Sequence, residues 1–238
     1  MTLLDITNNV ADEVDILRPS TIVGSVDPDA RQLLRLANKA GRQIMKAFPW
    51  QALRKETTFT SVSGETQTGI LPADFDRIVP ETFWNRSTSK LLSGPVSPVE
   101  WQGLKTLNTT PTEPKFAYRG DAILTLPALS AGASLAFEYV SKNWCQSSGG
   151  AAQAKFAADT DTTIIDEELL TRAVVFEYLM AKGQPAAKAA ADYQRYFNDL
   201  ASNERASGGT VRVADIFGRG GRRFDGAPPV ASTSTLLY

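Results

Sequence analysis

The chain has 238 residues, 42% of them hydrophobic and 21% charged, which is enough to bury a core without disulfides or metal ions. Its 25 basic and 26 acidic residues give a net charge of −1, which argues against binding of polyanions over the whole surface. The absence of histidine excludes Ser-His-Asp and Cys-His catalysis and imidazole zinc sites, and the single Cys145 excludes an internal disulfide and a thiolate metal cluster, so we expect no cofactor.

The N-terminal segment is predicted to form a first helix. Apolar residues from Leu3 to Ile16 recur at helical spacing, and the helix should end near Arg18, because the residue before Pro19 avoids helical geometry. Its acidic residues argue against a signal peptide, and no segment of the chain approaches the roughly 20 apolar residues of a membrane span. We therefore expect assembly in a cytosol-like compartment and no membrane partner.

A second helix has clear signals at both ends. Asp27 is placed to cap it, Pro28 suits its first position, and its apolar face stops before Pro49. Charged stripes on helices are usually solvated, and the alternative interpretation is a subunit contact. The stripe consists of Arg31, Arg35, Lys39, Arg42 and Lys46, of which Arg31, Arg35, Arg42 and Lys46 are the candidate interface residues.

The middle of the chain, residues 54–145, is typical of short strands separated by turns. Residues 56–62 and the run toward Ile70 are predicted to pair as a hairpin around Gly64. A serine, a proline and a glutamate in residues 97–100 predict a short capped helix. Further strands are predicted at residues 77–84, 115–118, 122–126 and 133–140. Connections this short predict an antiparallel sandwich or small barrel.

The C-terminal half returns to helical spacing. Residues 145–163 are small and polar and are predicted to form a long exposed link, with residues 146–159 as the linker between domains. A helix then begins at Asp166 and stops at Gly183, and another runs to about Arg205. We predict an α+β fold in which residues 1–53 and 160–206 form an antiparallel helix bundle, with the β-rich domain of residues 54–145 inserted.

Two pairs of carboxylates are candidates for acid-base catalysis in a chain without histidine. Asp159 and Asp161 lie in the polar link, and Glu167 and Glu168 lie in the first turn of a helix. Such pairs can cleave glycosides when their pKa values differ. Both pairs lie where carboxylates commonly close turns or cap helices, so we favour a structural role.

The last residues, 207–238, lack a periodic element and are predicted to form an extended C-terminal arm. Four arginines and two aspartates give it a net charge of +2, and its full extension is roughly 100 Å. Its Gly-Arg-rich segment is compatible with nucleic-acid binding or a plain tail, but interleaved apolar residues favour docking on a protein. The candidate binding residues are Val211, Ile216, Phe217, Arg219, Arg222, Arg223, Phe224, Leu236, Leu237 and Tyr238.

The four tryptophans, Trp50, Trp84, Trp101 and Trp144, lie at predicted element boundaries. Core packing is the ordinary role of such residues. An exposed tryptophan would instead indicate an interface.

Several runs of the sequence occur in the order found in one family. They are FPWQAL (48–53), GILPADFDR (69–77), GPVSPVEW (94–101), FEYVSKNW (137–144) and FAADTD (156–161), followed by the two C-terminal helices. Over about residues 28–205 the chain resembles the head-to-tail adaptor proteins of tailed bacteriophages, of the tail tubular protein A type.

The resemblance implies a non-enzymatic structural protein of the virion. Such adaptors form a homo-oligomeric ring, typically a dodecamer, beneath the portal protein, and carry the tail tube or nozzle. The genomic DNA passes through the ring without sequence-specific contacts, and a C-terminal arm reaches the portal. The near-neutral charge agrees with a channel in which DNA must slide. The alternatives are a carboxylate-dependent cell-wall hydrolase of the virion and a β-rich tail or capsid accessory protein.

Overall fold

The computed structural model describes residues 1–107 and 111–207. This part of the chain is α+β, as the sequence predicts, and it contains five α-helices and three antiparallel sheets. The helices are α1 (Leu3–Glu13), α2 (Pro28–Ala47), α3 (Pro98–Leu107), α4 (Glu167–Ala181) and α5 (Ala187–Ser207). The strands are β1 (Arg54–Thr60), β2 (Gly64–Gln67), β3 (Phe75–Ile78), β4 (Trp84–Asn85), β5 (Lys90–Leu91), β6 (Lys115–Arg119), β7 (Ala122–Leu129), β8 (Ser134–Ser141), β9 (Cys145–Gln146), β10 (Ala152–Gln153) and β11 (Thr162–Thr163).

Local sequence signals fix three of the helix starts. The Asp27 side chain accepts a hydrogen bond from the backbone of Asp29 at 3.2 Å, and Pro28 is the first residue of α2. Asp166 caps α4 by accepting from the backbone N–H of Leu169 at 2.8 Å. Ser97 caps α3 in the same way. These caps satisfy backbone donors that the first helical turn leaves without partners.

The first helix is shorter than predicted. It ends at Glu13 rather than near Arg18, because Asp15 adopts a left-handed conformation with φ of 55°. The backbone N–H of Ile16 then donates to the carbonyl of Ala11 at 2.9 Å, which closes the helix end. The apolar residues after Glu13 belong to the loop before α2.

One apolar core joins α1, α2, α4 and α5. It contains the fully buried Leu3 and Val10 of α1, Leu33 of α2 and Leu169 of α4. Helix α4 packs against α1, α2 and α5. Tyr193, Tyr196, Phe197 and Leu200 of α5 pack on the same core as partly buried side chains.

A second core lies between two of the sheets. In the first sheet β8 is central: β1 pairs with one edge, and β3 and β4 pair along the other, with β5 beyond β4. The second sheet has the order β2-β7-β6. Phe83, Phe116 and Phe137 are buried between these sheets, with ring centroids 5.0 to 5.3 Å from Phe83 to the other two. Both sheets therefore bury their apolar faces in a common aromatic core.

The predicted hairpin over residues 56–70 is wrong. Strand β1 pairs with β8 over seven residues, from Arg54 opposite Val140 to Thr60 opposite Ser134, and β2 pairs with β7 in the other sheet. The buried Gln67 side chain accepts from the N–H of Val62 and donates to the carbonyls of Val62 and Gly64. These hydrogen bonds satisfy backbone groups of Val62 and Gly64, where the chain passes from the first sheet to the second.

The strand predicted at residues 77–84 is also interrupted. It is divided into β3 and β4, because Pro80 lacks a backbone N–H and Glu81 adopts a positive φ of 63°. The strands predicted from residues 115, 122 and 133 correspond to β6, β7 and β8.

The exposed link predicted at residues 145–163 is only partly exposed. Cys145, Phe156 and Asp161 are buried, and β9, β10 and β11 form a small sheet there. The Phe156 ring lies edge-on against the Trp144 indole, with centroids 4.8 Å apart. Small polar residues thus surround a few side chains that anchor the segment to the helices.

Asp74, just before β3, joins β1 and β8 through a hydrogen-bond network. Its carboxylate accepts from the Lys55 ammonium at 2.7 Å, the Ser141 hydroxyl at 2.7 Å and the Tyr139 hydroxyl at 2.9 Å. Burial raises the pKa of the Asp74 carboxyl, but these hydrogen bonds together lower it from 3.8 to about 2. The folded state therefore favours the ionised carboxylate.

We expect the Asp74 network to make stability depend on pH in acid. Because the folded-state pKa is the lower one, its stabilisation is complete above about pH 4 and is lost as the pH falls toward 2. Asp74→Asn should lower the free energy of unfolding at pH 7 by about 1 kcal/mol, after allowance for solvent screening. Urea unfolding at pH 7, 5, 4 and 3 should show this difference narrowing below pH 4. A difference that stays constant to pH 3 would contradict the assignment.

Candidate assembly surfaces

Helix α2 carries a continuous basic surface, which we call the α2 basic surface. Its members lie on successive turns within an arc of about 80° and over about 22 Å of helix. Lys39 pairs with Glu177 of α4 at 2.6 Å. Within residues 1–107 and 111–207, no carboxylate lies within salt-bridge distance of the other four cations. The members are the exposed side chains of Arg31, Arg35, Lys39, Arg42 and Lys46.

Beside the α2 basic surface lies a shallow groove between α2 and α4. It consists of two adjoining depressions of about 680 and 400 Å³ that share Leu36, Lys39 and Ala181. Phe176 and Met180 line one of them, and the Met180 side chain is 57% exposed. The basic stripe thus borders exposed apolar area, a combination typical of protein interfaces. This apolar part could not be predicted from the sequence, because nothing in the spacing of α4 shows that Met180 faces solvent.

The carboxylates of the first candidate catalytic pair are bound to backbone. Asp159 accepts from the N–H of Ile22 at 3.2 Å and of Val23 at 2.7 Å, in the loop between α1 and α2. Asp161 is 1% exposed and accepts from Ala157 at 2.6 Å and Ala158 at 2.8 Å. Both carboxylates therefore hold the segment before α4 in place.

The second pair lies at the start of α4, as predicted. Glu168 pairs with Arg172 one turn later at 2.8 Å, and Glu167 accepts from the N-terminal ammonium of Met1. Both carboxylates also lie in the first turn of α4, where the positive end of the helix dipole stabilises negative charge. The two glutamates thus have the capping and pairing roles expected of a first turn.

Cys145 is buried, and its thiol donates to the carbonyl of Gln153 at 3.2 Å. Burial, and secondarily the charge of Asp161, raise the pKa of this thiol to about 12. The side chain is therefore a neutral thiol at physiological pH and not an activated nucleophile.

Trp84 is the exposed member of the four tryptophans. Its side chain is 44% exposed, whereas Trp50, Trp101 and Trp144 are at most 4% exposed. It lies on the outer face of the sheet formed by β1, β8, β4 and β5. This position marks a second candidate interaction surface.

The arm residues predicted to bind a partner, from Val211 to Tyr238, lie outside the described residues. The described chain ends with α5 at Ser207. None of the helices in residues 1–107 and 111–207 is long and apolar enough to cross a membrane. Within the same ranges, no three acidic or cysteine side chains converge to hold a metal ion.

The described chain exposes cationic, apolar and aromatic surfaces, and the carboxylates of Asp159 and Asp161 accept hydrogen bonds from backbone groups. These features are typical of a structural protein that functions by assembly. Comparison with protein families agrees with this class. The family model of the SU10 adaptor proteins matches residues 1–214, and the chain belongs to this family of phage head-to-tail adaptors. No curated protein matches the chain. The predicted adaptor family is thereby confirmed, while the tail tubular protein A type stays a prediction.

Proposed function

We propose that the protein forms a ring, typically of twelve copies, beneath the phage portal, joins it to the tail tube or nozzle and continues the DNA channel. The observation that carries the proposal is membership of the SU10 adaptor family over residues 1–214. The helical part, residues 1–53 and 160–206, would form the bundle at the channel. The inserted domain of residues 54–145 would face outward or toward the tail, and residues 146–159 would connect the two parts.

The α2 basic surface supports a subunit contact. A ring requires two different complementary surfaces on each subunit, because its interfaces are heterologous. Arg31, Arg35, Arg42 and Lys46 have no carboxylate partner within the described chain, so their charges are available to a neighbouring copy. The exposed apolar area at Met180 would be buried in such an interface and would add a hydrophobic contribution to it.

The C-terminal arm supports contact with the portal. It begins where α5 ends at Ser207, carries a net charge of +2 and is long enough to cross to another protein. Its arginines and aromatic residues belong to the types enriched at binding hot spots. The rest of the chain has a net charge of −3, which agrees with passage of DNA without tight phosphate contacts.

Charge reversal on α2 tests the proposed interface. Arg35→Glu with Arg42→Glu should weaken each subunit contact at least about tenfold, because two attractive pairs become repulsive. Native mass spectrometry at matched concentrations should then show loss of the ring. The melting temperature should change little, since both side chains are exposed.

The matched control reverses two exposed lysines away from α2, Lys90→Glu with Lys188→Glu, and changes the net charge equally. The control should form rings like the wild type. Rings of unchanged stoichiometry and concentration dependence in the α2 variant would show that the interface lies elsewhere.

A further inference from the structure

The outer face of the first sheet has a groove beside Trp84, which we call the Trp84 groove. Trp84 lies opposite Ala136 in the β4–β8 pairing, and a methyl group is too small to cover the indole. The groove has a volume of about 530 Å³. Its charged lining consists of Glu56, Glu81, Arg86 and Glu138, and Trp84 is its exposed aromatic residue.

The charges of the Trp84 groove are unbalanced. Glu56 and Glu138 are direct partners in the β1–β8 register, and like charges in this position destabilise a sheet. Arg86 donates to the Glu56 carboxylate. Among the described residues, no cation lies within salt-bridge distance of the Glu138 carboxylate. A guanidinium bound here would compensate Glu138 and stack on the Trp84 indole.

The chain leaves α5 close to this sheet. Glu204 accepts from the backbone N–H of Gln51 at 2.8 Å, and the Arg205 guanidinium lies 5.4 Å from the centroid of the Phe48 ring. Gln51 precedes Glu56 by five residues, which is at most about 17 Å of chain. The last turn of α5 is therefore held beside the start of β1, the strand that contributes Glu56.

The residues that follow α5 have the complementary chemistry. Residues 218–224, Gly-Arg-Gly-Gly-Arg-Arg-Phe, contain three arginines and an aromatic residue. Twelve residues lead from Ser207 to Arg219, and twelve residues without regular structure would have an end-to-end distance of about 20 Å. This distance is comparable to the upper bound of about 17 Å on the span from Gln51, which contacts the last turn of α5, to Glu56 of the groove.

We propose that residues 218–224 of the same chain bind in the Trp84 groove, with an arginine between the Trp84 indole and the Glu138 carboxylate. The short tether gives this segment an effective concentration of about 1 mM at the groove. An intrinsic Kd of about 0.2 mM then suffices for about 80% occupancy. The proposal concerns the free chain and does not depend on ring formation. If these residues also anchor the portal, the groove and the portal compete for them.

Trypsin cleavage after Arg219, Arg222 and Arg223 of the full-length protein tests the proposal, with mass spectrometry to follow each bond. At about 80% occupancy the wild type should be cleaved about fivefold more slowly than the Trp84→Ala and Glu138→Lys variants. The control Glu13→Lys, at an exposed carboxylate of α1, should be cleaved like the wild type. The digestion is carried out at concentrations at which native mass spectrometry shows only monomers, so that ring formation cannot cause the protection.

Equal cleavage rates in the wild type and both groove variants would overturn the proposal. Protection that disappears on dilution would assign the groove to the segment of a neighbouring copy and would overturn binding within one chain. Faster cleavage of the Glu13→Lys variant as well would attribute the effect to the change in net charge rather than to the groove, and would overturn the proposal. A second readout is tryptophan fluorescence of a triple variant that combines Arg219→Gln, Arg222→Gln and Arg223→Gln. The three substitutions should change the fluorescence when Trp84 is present, and should leave it unchanged in a protein that also carries Trp84→Phe.

Discussion

Replacing Trp144 with alanine is expected to lower the free energy of unfolding by about 4 kcal/mol, within the range for large aromatic side chains in cores. Trp144 is fully buried, and its indole N–H donates to the carbonyl of Ala154 at 2.9 Å. Its ring packs edge-on against Phe156 and lies over Gly41 of α2. The substitution removes all these contacts and leaves a carbonyl without its donor.

Gly41 provides a sharper test of the same contact. A methyl group at Gly41 would lie 2.4 Å from the Trp144 ring, which no pair of carbon atoms tolerates. Gly41→Ala should therefore destabilise the wild type by about 2 kcal/mol through overpacking. In the Trp144→Ala background the clash is absent, and the same substitution should stabilise by up to about 1 kcal/mol, because alanine favours helix over glycine.

Urea unfolding of the four members of this double-mutant cycle measures the change of sign. The matched control is Gly103→Ala, also within a helix, where a methyl group would meet nothing within 4 Å. It should stabilise the wild type by up to about 1 kcal/mol. If Gly41→Ala were tolerated as well as Gly103→Ala, the close packing of Trp144 on α2 would be incorrect.

Asp161→Ala is expected to have the second large effect and to lower the free energy of unfolding by about 3 kcal/mol. The substitution leaves the N–H groups of Ala157 and Ala158 without the carboxylate that accepts from both. Hydrogen bonds to a buried charged group each contribute about 1.5 to 3 kcal/mol, and the two share one oxygen. Asp161→Asn keeps an acceptor oxygen and should lose only about half as much.

Chemical denaturation of both variants at pH 7 measures these losses. Asp199→Ala is the control, because Asp199 is exposed on α5, and it should stay within about 0.5 kcal/mol of the wild type. A loss below 1 kcal/mol for Asp161→Ala would show that water replaces the carboxylate and that the segment before α4 is held by other contacts.

The sequence predicts the parts of the fold whose causes are local. Asp27, Pro28 and Asp166 fix helix starts through caps to residues two or three positions away, so α2 and α4 begin as expected. The exposure of the α2 basic surface follows from helical spacing alone. The sequence predicts the wrong partner for β1, because β8 lies about 80 residues away and no local signal favours that pairing over a hairpin.

The same limit applies to residues 145–163 and to the candidate surfaces. Composition shows the many small residues of this segment, but not that Asp159 reaches Ile22 or that Phe156 packs on Trp144. The Trp84 groove likewise depends on the register that places Glu56 opposite Glu138. The sequence alone does not show that Trp84 is the exposed one of the four tryptophans.

Electron microscopy of the full-length protein mixed with the phage portal protein tests the proposed function most directly. The predicted result is an added ring, coaxial with the portal, and its absence when residues 207–238 are deleted from an otherwise folded chain. Portals without added density, or a truncated chain that decorates them as well as the full-length protein, would contradict the ring or the arm respectively.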